Sequence, residues 1–200
     1  VYDGAALVTG TVPANPFRTF IPFATTSGPA GTTGAFTNGL NIATGDVDGD
    51  GTVDLIAGTR GITAGVGRAE FGRLVVIDGT SAPGTNVIIG GIQTPFGAGY
   101  QKGVVVAAGN VNGTGGDEIA VTRGGPVNSK DVEIQKIKVK VLQLQGASLA
   151  ELHLNADGST SFAPFGALSG AAKAIKRDGR VAFMDTDGDG DDELVFTALD

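Results

Sequence analysis

Gly45-Asp46-Val47-Asp48-Gly49-Asp50-Gly51-Thr52-Val53-Asp54 lies between two short apolar runs, Leu40-Asn41-Ile42-Ala43 and Leu55-Ile56-Ala57-Gly58. Acids at alternate positions, broken by glycines, describe a tight turn, and runs this short between turn residues read as strands. The pattern returns twice. Gly103 to Thr122 reads GVVVAAGNVNGTGGDEIAVT and Gly179 to Thr197 reads GRVAFMDTDGDGDDELVFT, against GLNIATGDVDGDGTVDLIAGT for Gly39 to Thr59. The loops start at Asp46, Asn110 and Asp185, which are 64 and 75 residues apart.

Other landmarks follow in the same order. An apolar strand ending in glycine occurs at Val1-Tyr2-Asp3-Gly4, at Val76-Ile77-Asp78-Gly79 and, more loosely, at Leu144-Gln145-Gly146. A Pro-Phe pair comes next, at Pro22-Phe23, Pro95-Phe96 and Pro164-Phe165. A recurrence of this length points to a repeat architecture. Around the first loop the expected strands are Leu40 to Thr44, Leu55 to Gly58, Arg73 to Ile77 and Val87 to Ile92. Val104 to Ala108 and Leu40 to Ala43 read as strands buried on both faces, whereas Lys136 to Val141 alternates as a half-exposed strand does. No helical periodicity stands out. The expectation is an all-β chain of three four-stranded β-propeller blades, in one repeat domain, 1-200, divided near 1-72, 73-136 and 137-200. An immunoglobulin-like sandwich would not recur threefold.

In the first loop, carboxylates fall at positions one, three, five and nine: Asp46, Asp48, Asp50 and Asp54. A hard divalent cation such as calcium takes six to eight oxygens at about 2.3 to 2.6 Å, and a turn with glycines at positions four and six brings several acids to one point. The third loop repeats this with Asp185, Asp187, Asp189, Asp191 and Glu193, and its six acids in nine residues repel one another without a cation. The second loop, with Asn110, Asn112, Thr114, Gly116 and Glu118, has one carboxylate at the ligand positions, and weak or no binding is expected there. An EF-hand is excluded, because it needs an acid at position twelve. Ala57, Val121 and Phe196 stand there instead.

These residues resemble the FG-GAP or VCBS repeats of integrin-alpha-type β-propellers. Most similar are the long bacterial tandem versions with V-x-D-G-A, then F-x-x-F-x-P-F, then G-D-V-D-G-D-G. Val1 to Ala5, Phe17 to Phe23 and Gly45 to Gly51 match these in order. The resemblance implies calcium held between two strands of a blade by side chains at positions one, three, five and nine and by the carbonyl at position seven. Those residues are Asp46, Asp48, Asp50, Thr52 and Asp54, then Asp185, Asp187, Asp189, Asp191 and Glu193; Asn110, Asn112 and Thr114 depart from the pattern. It also implies a non-enzymatic, calcium-stabilised module of a secreted or cell-surface bacterial protein, acting in adhesion or protein interaction.

Composition narrows the alternatives. Of 200 residues 34 are glycine, none is cysteine and one is histidine, His153, while 21 acids against 14 bases give a net charge of −7. Thiol chemistry, disulfides and histidine clusters are excluded, and the acidic balance opposes a nucleic-acid partner. No apolar run reaches the length of a membrane helix, so membrane insertion is not expected. Gly97 to Gly103 precedes a strand rather than a helix, which removes the phosphate-loop reading. Lys136, Lys138 and Lys140 read as protection of an exposed strand edge. His153 is expected to face solvent, and Phe17, Phe20, Phe23, Phe96, Phe162 and Phe165 to pack between blades. Asn112-Gly113-Thr114 is a formal glycosylation acceptor inside the second loop.

Two other functions compete. A glycan-binding propeller would line pockets between blades with aromatic rings, yet the chain has no tryptophan and only Tyr2 and Tyr100. A polysaccharide-active enzyme needs an acid/base pair outside the loops, for which Glu70, Glu133 and Glu151 are the candidates. The chain starts on the strand that follows the post-loop strand in later units and ends where the next such strand is due. Since propellers close with about four to eight blades, either further repeats in a parent chain or association of two chains into six blades is expected.

Overall fold

The computed structural model describes residues 8, 9, 19, 20, 22, 23, 39–60, 72–82, 85–98, 100, 103–113, 115–124, 138–153, 158–161 and 179–198. Among these the chain is all-β, with ten strands in three antiparallel sheets. β1 (Leu40–Gly45), β2 (Asp54–Thr59), β3 (Leu74–Ile77) and β4 (Ile88–Gln93) form a meander in that order. β5 (Val104–Gly109), β6 (Glu118–Arg123), β7 (Val139–Gln145) and β8 (Ser148–Glu151) form a second. β9 (Gly179–Met184) and β10 (Glu193–Ala198) form a hairpin. The sheets form an open stack of this kind, with neither a closed barrel nor a closed ring among the described residues. Val1 to Gly4, Phe17, Phe162, Phe165, Glu70 and Glu133 lie outside them.

The three acidic stretches close three hairpins of one register. β1 pairs with β2 from Leu40↔Thr59 to Gly45↔Asp54, β5 with β6 from Val104↔Arg123 to Gly109↔Glu118, and β9 with β10 from Gly179↔Ala198 to Met184↔Glu193. In each, the residue before the loop faces the position-nine acid across the ladder.

The hairpins stack face on face, β1 against β5 and β5 against β9. Ile56, Leu74 and Val76 of the first sheet meet Val104, Val106, Ile119 and Val121 of the second in one buried cluster. Glycine makes this approach possible. A Cβ at Gly45 would lie 2.7 Å from the Ala108 Cβ, one at Gly58 2.4 Å from the Val104 carbonyl oxygen, and one at Gly109 2.4 Å from the Phe183 Cβ. The Asn41 side chain adds a polar tie, donating to the Val104 carbonyl at 2.8 Å.

Two expectations need correction. β7 is not an edge, since it pairs with β6 on one side and β8 on the other. Lys140 forms an ion pair with Glu151 and lies 5.9 Å from the centre of the Phe96 ring, so its role is internal. β1 is not evenly buried on both faces either: among the described residues its inner face packs on β5, while on the other face Leu40 meets Phe23 and Ile42 is 66% exposed. β5, with a hairpin on each side, does have the expected two-sided burial. His153 is exposed as expected, just past the end of β8.

Thr59 shows how a buried polar group stabilises the first sheet. Its hydroxyl accepts the Gly72 and Arg73 amides at 2.8 and 3.0 Å, and its side chain is fully buried. Thr59→Val keeps the shape and removes the acceptor, so the variant should lose about 2 kcal/mol of unfolding free energy. Urea denaturation measures this, and an unchanged midpoint would refute the role.

Candidate metal centre

In the first loop the backbone folds around its own acids. Asp46 accepts the amides of Asp50 at 3.0 Å and Gly51 at 2.9 Å, Asp48 accepts Asp50 at 3.2 Å, and Asp50 accepts Thr52 at 2.7 Å. Gly49 and Gly51 supply φ of 74° and 87°, a region that other residues adopt only with strain. As a result one carboxylate oxygen from each of Asp46, Asp48 and Asp50 lies within 4.8 Å of the others. The third loop brings Asp185, Asp187 and Glu193 together within the same distance. There Asp185 accepts Gly188 at 2.6 Å and Gly190 at 3.1 Å, and Asp187 accepts Asp189 at 3.2 Å. These are the donor sets that hard divalent cations select, oxygen-rich and anionic.

Partial loss of water raises the Asp48 carboxyl above its ordinary range, and the charges of Asp50, Asp78 and Asp46 raise it further, against the Asp50 amide. A cation among these groups would relieve that repulsion. Asp78 follows β3 and lies beside this loop, and it was not singled out from the sequence. The signal available was the Val76-Ile77-Asp78-Gly79 landmark itself, whose glycine packs on the loop. A Cβ at Gly79 would lie 2.2 Å from the Val53 carbonyl oxygen.

The position-nine acids are placed differently in each hairpin. Asp54 is buried and turned inward, accepting the Val47 amide at 2.9 Å and the Gly79 amide at 2.8 Å. Burial pushes its carboxyl up, and the two amides oppose that. It stands outside the convergent group of its loop, whereas Glu193 belongs to its own. Glu193 accepts the Thr186 amide at 2.7 Å and the Thr186 hydroxyl, and these bonds hold its carboxyl below the usual value. The bond from the position-two amide to the position-nine carboxylate is common to all three hairpins. The Asp189 and Asp191 carboxylates are likewise outside the convergent group of their loop.

In the second loop the position-nine acid is met by protein donors. Glu118 is fully buried and accepts the Val111 amide at 3.0 Å, the Asn112 side-chain amide at 2.5 Å and the Gln143 side-chain amide at 2.8 Å. Asn110 accepts the Asn112 amide at 3.2 Å. Gly116 is where the loops meet: a Cβ there would lie 2.2 Å from the Val47 carbonyl oxygen. Thr114 is outside the described residues.

Sequence reasoning also missed the acids at position eight. Asp117 accepts the Asp46 amide at 2.9 Å, and its own amide donates to the Asp46 carbonyl at 2.7 Å. Asp192 makes the same two bonds with Asn110, at 3.0 and 2.6 Å. These reciprocal clasps join each loop to the next. The available signal was the Asp-Glu pair that opens β6 and β10, where the first hairpin has Val53-Asp54.

Glu151, one of the three acids considered for catalysis, is half-buried and engaged by Lys140 and Thr160. Burial raises its carboxyl, but these partners outweigh that and leave it below the ordinary value. No helix among the described residues is long and apolar enough to cross a membrane. Comparison with protein-family models, with curated proteins and with solved structures returns no match.

Proposed function

We propose that this chain is a calcium-binding, non-enzymatic module of three propeller-type blades, related to FG-GAP or VCBS repeats and acting at the cell surface or outside the cell in adhesion or protein interaction. The observation that carries the metal reading is the convergence of Asp46, Asp48 and Asp50, and of Asp185, Asp187 and Glu193, at the same end of two hairpins of identical register. Calcium fits better than a transition metal because every side-chain donor is a carboxylate. The ion's role is structural: it neutralises acids that the backbone already holds together. Glu118 with its three hydrogen-bond donors supports a second loop that needs no ion. The four-stranded meanders support the blade reading, and the acidic surface with millimolar extracellular calcium supports the location. A glycan array distinguishes adhesion through sugars from adhesion through protein.

Titration calorimetry tests the metal assignment. Two calcium sites are expected, with magnesium much weaker because it resists giving up its waters. Asp48→Asn and Asp187→Asn should each remove one site. Absence of heat at millimolar calcium, or binding that survives both substitutions, would refute the assignment.

A further inference from the structure

Charge is sorted along the hairpins. Among the described residues every acid except Glu151 lies at the loop end, either on one of the three loops or, as Asp78, just after β3. The described cations lie toward the opposite end. Arg60 follows β2 and bridges to Gly103, Arg73 stands across from Thr59, and Arg123 closes β6. Lys138 precedes β7 and accepts the Thr122 hydroxyl on its carbonyl, and Arg180 is the second residue of β9. The sequence has the same bias, since none of its 14 lysines and arginines falls in a loop.

The basic end is not neutralised in place. Among the described residues no carboxylate pairs with Arg60, Arg123 or Lys138, and Glu151 is taken by Lys140. Arg123 lies over the Phe96 and Tyr100 rings, 5.4 and 5.2 Å from their centres. Its Nε and Nη1 are buried and have no hydrogen-bond partner among the described residues. Buried guanidinium nitrogens are ordinarily paired, so here two ring faces hold a charge that no described acid cancels. Arg60 and Arg180 are exposed, and Arg73, Arg123 and Lys138 are partly so.

These cations come from all three sheets: Arg60 and Arg73 from the first, Arg123 and Lys138 from the second, Arg180 from the third. Stacked sheets lie about 10 Å apart, so positive charge recurs across the stack at about that step. A polysaccharide with an anionic group at regular intervals presents a row of charges on this scale. We propose that the end opposite the loops binds an acidic polysaccharide, whose carboxylates or sulfates meet Arg60, Arg123 and Arg180, one from each sheet. Guanidinium donors suit planar oxyanions better than a lysine's point charge does. Nucleic acid fits less well, because bases need free aromatic faces to stack on and Arg123 occupies those of Phe96 and Tyr100. The proposal names a ligand class for the adhesion reading and rests on it, and calcium has no part in the contact.

Binding to immobilised polymers in EGTA tests this, with polygalacturonate, dextran sulfate, neutral dextran and a DNA duplex as probes. At least one of the two acidic polysaccharides should bind the chain, which identifies the anionic group, and neutral dextran should not. Binding should disappear at about 1 M salt, where the screening length falls to about 3 Å. Arg60→Glu combined with Arg180→Glu should weaken it about tenfold or more, as expected when charges at a contact are reversed, with the circular dichroism unchanged. Val53→Lys adds a cation at an exposed site of the loop end and should leave binding as it is. No binding to either acidic polysaccharide, an undiminished affinity in the double variant, or DNA bound as tightly would each overturn the proposal. Capture of a neutral glycan on an array, without either acidic polymer, would overturn it too and leave the adhesion reading standing.

Discussion

In millimolar calcium the chain should melt about 10 to 20 °C higher than in excess chelator. At the tighter end of extracellular calcium modules, a Kd of about 0.1 mM, about 10 mM calcium exceeds the Kd of each site about a hundredfold. Mass action then contributes about 2.7 kcal/mol per site. Two sites contribute about 5 kcal/mol, and a domain of this size gains about 2 to 4 °C per kcal/mol. Asp48→Ala should reproduce chelation at the first loop alone and give about half the shift. The acids at stake are those that the backbone amides of Asp50, Gly51, Gly188 and Gly190 already gather. Differential scanning calorimetry in calcium and in EGTA measures the shift, and coincident curves would show that the two carboxylate groups do not bind calcium.

Glu118→Ala should be the most damaging single substitution outside the two convergent groups, costing about 4 kcal/mol. It removes the acceptor of the Val111, Asn112 and Gln143 donors at a fully buried position, and each lost bond at such a site costs about 1 to 3 kcal/mol. Glu118→Gln keeps the volume but brings two donors of its own, so it should recover less than half of the loss. Asn112→Ala, which looks harmless from the loop's spacing alone, removes one of the three donors and should cost about 1 kcal/mol. Burial pushes the Glu118 carboxyl above its ordinary value, against the Val111 and Gln143 donors. The native state therefore holds this proton to higher pH than the unfolded chain, and the group's contribution to stability falls as pH rises between the two values. Urea unfolding of the three variants checks the ranking, and a Glu118→Ala variant as stable as the parent would refute it.

The hairpins were legible because they are local. Alternating acids and glycines between apolar runs define both strands and the loop within about twenty residues, and the expected strands around the first loop fall within a residue or so of β1 to β4. What was illegible depends on residues far apart in sequence. Asp117 looks like one more acid in a loop until Asp46, 71 residues earlier, supplies its partners. Asp54 has the spacing of a metal ligand, and only the approach of Gly79, 25 residues on, shows why it turns inward. Lys140 of β7 closes a run, Lys136 to Lys140, that alternates as an edge would, and nothing local reveals that β8 pairs beyond it. Leu40 to Ala43 has the apolar content of a strand covered on both faces, but coverage is set by the neighbouring sheet.

The reciprocal clasps change what counts as one module of this chain. Each seam is written half in one hairpin and half in the next: Gly45 and Asp46 on one side, Ala108 and Asp117 on the other. Cutting the chain between sheets and copying a piece from strand to strand would separate these halves. A duplicated third hairpin would bring Met184 against Asp192, and a duplicated first hairpin would bring Gly45 against Val53. Only the middle hairpin, with Gly109 on one face and Asp117 on the other, carries both halves in compatible form. It is therefore the natural unit of growth, and an engineered array would lengthen by inserting copies of it between fixed first and third hairpins.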